Sequence, residues 1–299
     1  MFELIDAHTH TQPSTAATRA FLERIGKAPD DTAGDVADLL GRMTGAGIAH
    51  AMIVPWLPAQ DLVDQRVAAG GDRDIAVDAV VREWRELNEW ATAAVAAHPG
   101  RLSCLVGVDP VLMGSAVVAE EVSRRLADGA IGVKIAPMSV RRPPTDPDVE
   151  IVWQLAREHG VFVLSECGDL TAIGRGDYGH PRYFGEVLAA YPDVTIQLAH
   201  LGMGAEDTVA GLTETYANVC TDTSLRLGGP RGLPPDEVAS WIRRIGSDRV
   251  LFGTNYPIVD PAEYAAALRS LPLSPADLER VAFGNAARLY GWGDGVPAA

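Results

Sequence analysis

Short apolar segments alternate along this chain with longer segments of helical periodicity, and this alternation limits the fold more than any other feature. Val36, Leu39, Leu40 and Met43, for example, repeat at the spacing of one helix face. The predicted strands cover residues 4–10, 48–55, 102–108, 131–135, 161–165, 194–199, 219–222 and 249–252. Eight strands alternating with helices over 299 residues predict a parallel (β/α)8 TIM barrel of the α/β class. An open doubly wound sheet is the alternative.

The composition restricts the partners and the compartment. A net charge of −15 argues against nucleic acid and against an anionic membrane surface as partners. Cys104, Cys167 and Cys220 are odd in number and form no Cys-x-x-Cys pair, which is typical of a reducing compartment. There is no signal-peptide pattern, no membrane-length apolar run, no short repeat and no low-complexity linker. We expect one cytoplasmic domain over residues 1–299 that binds a small molecule, with a homo-oligomer left open.

Polar side chains follow the predicted strands where barrel enzymes build their sites, at the carboxyl ends. His8 and His10 project together from the first strand, because alternate strand residues share a face. The same parity places four further sets on the inner face: Gly132, Lys134 and Ala136; Phe162, Leu164 and Glu166; Ile196, Leu198 and His200; Leu251, Gly253 and Asn255. The polar residues predicted to converge are His8, His10, Lys134, Glu166, His200, Asp222 and Asn255.

Five sequence segments resemble the amidohydrolase superfamily, in the branch that includes aminocarboxymuconate semialdehyde decarboxylase. They are Ile5-Asp6-Ala7-His8-Thr9-His10, Gly132-Val133-Lys134-Ile135, Leu198-Ala199-His200-Leu201-Gly202, the run from Asp248 to Pro257, and the run from Phe283 to Gly291. The resemblance implies a divalent metal held by the strand-one histidines, a strand-five His and a strand-eight Asp. It also implies that the strand-six histidine, His200, assists catalysis as a base or acid.

Two positions depart from the family pattern. Glu166 stands where the family has the strand-five His, and Asn255 stands where it has the Asp before Tyr-Pro. An amide is a poor metal ligand and no general base, whereas a carboxylate is a good ligand and a base. Two interpretations stay open. Zinc or manganese binds His8, His10 and Glu166, or the metal is absent and Lys134 pairs with Glu166.

Residues on the mouth-side loops are candidates for substrate contact. Loop position alone cannot separate these residues from solvated ones. Cys167 has the wrong strand parity for a nucleophile. An arginine, Arg141, Arg142 or Arg175, is a candidate to clamp a substrate carboxylate. The predicted substrate contacts are Lys134, Trp56, Arg141, Tyr178, His180 and Asp222.

These observations predict an enzyme that hydrolyses a small cyclic ester or amide, or a related carbonyl compound. The catalytic residues are predicted to be His200, Glu166 and Asn255. The alternatives are a carboxy-lyase that decarboxylates a small aromatic or unsaturated acid, and a metal-free barrel that uses Glu166, His200 and Lys134. The two altered ligand positions also allow a barrel that binds a small molecule without catalysis.

Overall fold

Parallel strands form the framework of the fold. The computed structural model describes residues 2–28, 32–171 and 176–292, so the ends of the predicted domain, residue 1 and residues 293–299, lie outside the described residues. The strands in the described part are β1 Leu4–Thr9, β2 Ile48–Ile53, β3 Leu102–Cys104, β4 Val106–Gly107, β5 Gly132–Ile135, β6 Phe162–Ser165, β7 Ile196–Leu198, β8 Val219–Asp222 and β9 Val250–Leu251. Each strand pairs in parallel with the next one along the chain, in the ladders β1-β2-β3 and β4-β5-β6-β7-β8-β9.

The two ladders meet within the third predicted strand, which is interrupted at Leu105. The backbone N–H of Leu105 donates to the carbonyl of Ile53 at 3.1 Å, and that of Ile131 donates to Cys104 at 3.0 Å. These hydrogen bonds continue the strand order from β2 to β5 across the interruption. β3 and β4 therefore act as one barrel strand, which keeps the predicted number of eight.

Backbone hydrogen bonds also join the first strand to the last. The N–H of Ala7 donates to the carbonyl of Phe252 at 2.8 Å, and the N–H of Asn255 donates to that of His8 at 2.8 Å. A parallel bridge pairs Thr9 with Tyr256. The strands thus follow one another in chain order around a barrel, and His8 is brought beside Asn255 although 247 positions separate them in the sequence.

Helices connect successive strands. The described helices are α1 Thr15–Arg24, α2 Val36–Ala46, α3 Ala59–Ala68, α4 Arg73–Ala97, α5 Pro110–Ala127, α6 Pro137–Val140, α7 Glu150–His159, α8 Phe184–Ala190, α9 Glu206–Thr215, α10 Pro235–Ile245, α11 Pro261–Arg269, α12 Pro275–Glu279 and α13 Asn285–Leu289. The ends of α2 show the local signals: Asp35 accepts from the N–H of Asp38 at its start, and Gly47 ends it in the left-handed conformation. Within the described residues, no helix has both the length and the apolar character to cross a membrane.

The hydrophobic core is divided into an inner and an outer layer by the barrel wall. Leu105, Phe162, Leu164 and Leu251 belong to the cluster inside the barrel. Alternate strand residues such as Val163 belong to the larger cluster between strands and helices. Each fully buried aliphatic or aromatic side chain contributes about 2 kcal/mol relative to exposure. This two-sided burial explains why the strands read as nearly continuous apolar runs.

We predict that Gly107→Ala destabilises the barrel where its third strand is interrupted. Asn88 pairs with both backbone groups of Gly107 at 2.9 Å, and an added Cβ would lie 2.8 Å from the carbonyl oxygen of Pro55 and closer still to the ring of Trp84. Overpacking of this kind costs about 1–3 kcal/mol of unfolding free energy, which denaturant titration measures.

Gly41→Ala is the matched control for this substitution. Gly41 lies in the middle of α2, is exposed, and has open space where a Cβ would stand. The change removes backbone entropy from the unfolded chain and is expected to stabilise the protein by about 0.5–1 kcal/mol. Equal effects of the two variants would contradict the tight packing at Gly107.

Candidate active site

A cavity of about 350 Å³ lies at the carboxyl ends of the strands. In a (β/α)8 barrel this end carries the active site, because the strand-to-helix loops meet there. Seven of the residues predicted for the site line it: His8, His10, Trp56, Lys134, Glu166, His200 and Asn255. Cys167, which was set aside for its strand parity, also lines the cavity. The structure therefore brings together residues from five of the eight barrel strands and from the loop after β2.

The buried carboxylate of Asp222, at the end of β8, organises the floor of the site. Its Oδ2 accepts from Nδ1 of His8 at 3.1 Å and from Nε2 of Gln197 at 2.8 Å. Its Oδ1 accepts from the backbone N–H groups of His200 at 3.1 Å and Ser224 at 3.0 Å, and from the Ser224 hydroxyl. Burial would raise the pKa of Asp222, but the nearby His8 and these donors lower it below the usual range. The carboxylate is therefore held ionised.

The hydrogen bonds of His8 and His10 fix which ring nitrogen carries the proton. Nδ1 of His8 faces the Asp222 carboxylate, and Nδ1 of His10 lies 2.8 Å from the carbonyl oxygen of Val54. Both partners only accept, so both Nδ1 atoms are donors. In the neutral rings Nε2 then has a free lone pair. The two ring centroids are 5.0 Å apart.

His200 reaches the cavity by a different route from the one predicted. Ile196 and Leu198 pack in the outer core and Gln197 points inward to Asp222, so the predicted inner face of the sixth strand is wrong. The chain instead turns immediately after the strand, and His200 and Leu201 adopt positive φ values of 65° and 52°. This turn, rather than strand parity, directs the imidazole into the site. The parity predicted for Lys134, Glu166 and Asn255 matches their position in the cavity.

Ser224 connects the ring of His200 to the same carboxylate. Nδ1 of His200 lies 2.7 Å from the Ser224 hydroxyl oxygen and 3.1 Å from its carbonyl oxygen. The hydroxyl donates to Asp222, so it accepts from His200. The rings of His8 and His200 are stacked with centroids 5.1 Å apart. One carboxylate thus orients two imidazoles, one directly and one through a serine.

Burial keeps the imidazoles neutral. It lowers the pKa of His200 to about 3, and it lowers the pKa of His10 well below 6.5. The pKa of His8 is also lowered by burial, which the Asp222 carboxylate opposes. At neutral pH all three rings present Nε2 as an acceptor, either to a proton or to a metal ion.

Lys134 and Glu166 supply the opposite charges in the cavity. Burial lowers the pKa of Lys134 to about 8, and the charge of Glu166 opposes this shift. The ammonium therefore remains largely protonated at neutral pH. The nearby imidazoles carry no charge, so Lys134 is the main cation next to their free nitrogens.

The donor atoms present suit a divalent metal. Nε2 of His8 and Oδ1 of Asn255 are buried and have no hydrogen-bond partner among the described residues. Imidazole nitrogen and carboxylate or amide oxygen are ligands that zinc and manganese accept. A histidine whose Nδ1–H donates to a buried carboxylate, as His8 does, has the arrangement usual for a metal ligand.

The predicted ligand trio does not appear as one compact group. In the described part of the chain, one set of three candidate ligands has its atoms within 4.8 Å of one another: His8, His200 and Asp222. Because both oxygens of Asp222 already accept hydrogen bonds, we assign it to orienting the histidines rather than to binding a metal directly. His10 and Glu166 line the same cavity but lie outside this set.

Two of the predicted substrate contacts are engaged elsewhere. Asp222 lies beneath His8, fully buried, and does not line the cavity. Arg141 is partly buried, and its guanidinium bridges Asp61 at 2.5 Å and Asp64 at 2.7 Å on α3. The sequence positions of both residues were compatible with substrate contact. In the structure, however, their polar atoms form hydrogen bonds and ion pairs with residues that are distant in sequence.

Tyr178 and His180 also lie away from the cavity lining. The side chain of Tyr178 is 37% exposed. Nδ1 of His180 accepts from the backbone N–H of Arg182 at 3.1 Å. This hydrogen bond caps the start of a short 3-10 helix. The other two candidates for a carboxylate clamp were Arg142 and Arg175. Of these, Arg175 lies outside the described residues.

The cavity lining also includes residues that the sequence analysis did not single out. Most are apolar and two are cationic, and they come from the loops and helices that follow the strands. Their only signal in the sequence is this loop position, which many solvated residues share. The set is Phe21, Ile25, Gly26, Lys27, Leu170, Met203, Leu225, Gly228, Arg231, Ile258 and Val259.

Comparison with known families identifies the chain. A family model described as amidohydrolase matches residues 5–292. The chain therefore belongs to the amidohydrolase family, an enzyme family, as its motifs predicted. Comparison with curated protein sequences gives no match.

Solved structures confirm the α/β barrel fold. A 2,6-dihydroxybenzoate decarboxylase in complex with 2,6-dihydroxybenzoate has a TM-score of 0.73 at 17% identity, covering 97% of this chain and 100% of that one. A dihydroxybenzoic acid decarboxylase from a Polaromonas species, with bound manganese and 2-nitroresorcinol, has a TM-score of 0.73 at 18% identity, with 99% and 98% covered. A probable 2-pyrone-4,6-dicarboxylic acid hydrolase from Acinetobacter baumannii, with citric acid bound, has a TM-score of 0.65 at 15% identity, with 97% and 99% covered.

We predict that Asp222→Asn lowers the free energy of unfolding by about 2–3 kcal/mol. The amide replaces one accepting oxygen by an NH2 group, which then faces the donors of His8 and Gln197. Loss of a buried hydrogen bond to a charged group has a cost of this size. Denaturant titration measures it, with the exposed Glu214→Gln as the charge-matched control. A variant as stable as the control would show that Asp222 does not organise the site.

Proposed function

We propose that this member of the amidohydrolase family hydrolyses a small cyclic ester or amide, or a related carbonyl compound. The observation that carries the proposal is the arrangement of neutral imidazoles around the cavity. The Nδ1 protons of His8, His10 and His200 are all donated to fixed acceptors, which leaves Nε2 of each ring as an acceptor. Such a site accepts protons from water, which is what hydrolysis requires.

The roles we assign follow from charge and position. Nε2 of His200 accepts a proton from the attacking water and returns it to the leaving oxygen or nitrogen. The ammonium of Lys134 stabilises the negative charge that develops on the carbonyl oxygen, since a fixed cation in a buried site interacts strongly with it. Glu166 supports the protonated form of Lys134 by its charge. Asn255 presents its unpartnered Oδ1 to a proton of the water.

A divalent metal fits beside these groups. His8 and His10 would hold zinc or manganese through Nε2. Glu166 lines the same cavity but is not grouped with them in this structure, so its carboxylate would have to move toward the histidines to bind the metal. When bound, such a metal polarises a carbonyl and lowers the pKa of a coordinated water. The manganese in the Polaromonas relative supports this assignment.

A carboxy-lyase is the second candidate, and two observations favour it. Two of the similar structures are decarboxylases of dihydroxybenzoates. Decarboxylation leaves a carbanion that must take up a proton, and Lys134, with a pKa of about 8, is placed to donate one. The imidazoles, neutral and accepting, are poorly suited to that step, which is why we rank hydrolysis first.

We predict that His200→Ala lowers kcat by at least 10²-fold, the usual contribution of a general base. The test is a mass-spectrometric screen of lactones, cyclic amides and hydroxybenzoates incubated with the purified protein. Products that have gained one water indicate hydrolysis, and products that have lost carbon dioxide indicate the carboxy-lyase. The exposed His159→Ala is the control, since it removes a histidine far from the cavity. Undiminished turnover by His200→Ala would rule out its role as base.

We predict that zinc or manganese raises the melting temperature of chelator-treated protein and that His8→Ala and His10→Ala abolish the effect. Binding to the folded state alone adds about 2.7 kcal/mol of stability at a hundredfold excess over Kd. Differential scanning fluorimetry measures the shift, and elemental analysis measures occupancy. His159→Ala should respond as the wild type does. A shift that survives loss of His8 or His10 would place the metal elsewhere.

A further inference from the structure

The charge of the cavity differs in sign from the charge of the protein. The chain carries a net charge of −15. Among the described residues, the cavity lining nevertheless contains three cationic side chains, Lys27, Lys134 and Arg231, against one carboxylate, that of Glu166. A concave site with an excess of one charge attracts ligands of the opposite charge, whatever the total charge is. The lining therefore favours an anionic substrate.

Arg231 differs from the other two cations in its surroundings. Lys27 donates to the carbonyl oxygen of Ile258 at 2.7 Å, and Lys134 is buried near Glu166. Arg231 is exposed at the cavity, and in the described part of the chain its guanidinium has no carboxylate partner. Its Nη1 lies 3.6 Å from the sulfur of Met203, which is only a weak acceptor.

The loop that carries Arg231 is fixed from within. Arg226 is buried, its Nη1 donates to the carbonyl oxygen of Arg231 at 2.5 Å, and its own carbonyl accepts from the N–H of Leu233 at 3.0 Å. Nη2 of Arg226 donates to the Glu206 carboxylate at 2.5 Å, at the start of α9. The hydroxyl of Tyr264 donates to the carbonyl of Gly228 at 3.0 Å. The backbone that places Arg231 at the cavity is thus held at three points.

We propose that Arg231 binds a carboxylate of the substrate and that the Arg226–Glu206 pair positions it. The inference rests on the proposed function and narrows its substrate to a small carboxylate-bearing compound with an apolar or aromatic body. Phe21, Trp56 and Leu225 supply the apolar walls. A guanidinium forms two parallel hydrogen bonds with a carboxylate, which gives orientation as well as affinity. The reacting carbonyl is thereby directed toward the imidazoles.

The test compares the binding of benzoate and benzamide, which have nearly the same shape but differ in charge, by isothermal titration calorimetry at neutral pH. Wild-type protein binds benzoate more tightly than benzamide. Arg231→Met weakens the binding of benzoate by about tenfold, because one charge-assisted contact is lost, and leaves the affinity for benzamide unchanged. Arg231→Lys retains part of the preference. Arg82→Met, which alters an exposed arginine of α4, is the control and binds as wild type does.

The positioning role has its own readout. Glu206→Gln reduces the preference for benzoate in the wild-type background, because the Arg226 guanidinium loses its charged partner. In the Arg231→Met background the same substitution has no further effect on that preference. An effect of equal size in both backgrounds would show that Glu206 acts through general stability and would overturn its positioning role.

The proposal is overturned if the wild type does not prefer benzoate. It is also overturned if Arg231→Met weakens the binding of benzoate and benzamide equally. These measurements record binding without turnover. A failed search for hydrolysis products therefore counts against the proposed function alone. Loss of the carboxylate preference with hydrolysis intact counts against Arg231 alone.

Discussion

The arrangement of the site depends on one buried carboxylate. An ionised Asp222 without partners would be very costly inside the barrel, so its surroundings must supply donors. They come from β1 through His8, from β7 through Gln197, and from the turn after β7 through the backbone of His200. These elements are distant in sequence, and their strands are fixed in register by the barrel. The same hydrogen-bond network that satisfies the charge sets the tautomers of the cavity histidines, so the needs of the fold and of the site are met together.

The sequence predicted the barrel and most of the cavity residues because both follow from local patterns. Apolar runs alternating with helical periodicity give the strand order, and the position of polar residues at strand ends gives His8, His10, Lys134, Glu166 and Asn255. His200 was predicted for the wrong reason. Strand parity presumes a regular backbone, and the left-handed turn at His200 and Leu201 breaks it. That turn depends on hydrogen bonds to Asp222 and Ser224, which no local pattern contains.

Two of the predicted substrate contacts, Arg141 and Asp222, lie outside the cavity lining for a related reason. Arg141 and Asp222 both occupy loop or strand-end positions of the kind that face a barrel mouth. What decides their role is which polar group lies nearby, and for Arg141 these are Asp61 and Asp64, about a quarter of the chain away. Arg231 is the converse case. It looks like an ordinary surface arginine in the sequence, and only the structure shows it at the cavity without a carboxylate partner in the described residues.

The loop after β8 contains both the residues that orient the histidines and residues that line the cavity. It begins with Asp222 and Ser224, which orient the histidines, and it continues within a few residues to Leu225 and Arg231, which line the cavity. Arg226 fixes this loop through its hydrogen bonds to the carbonyl oxygen of Arg231 and to the carboxylate of Glu206. The distance from Arg231 to the accepting imidazoles is therefore set by the fold. A substrate whose carboxylate and reacting carbonyl match that distance is aligned on binding, and one that does not match loses the entropic advantage of a fixed orientation.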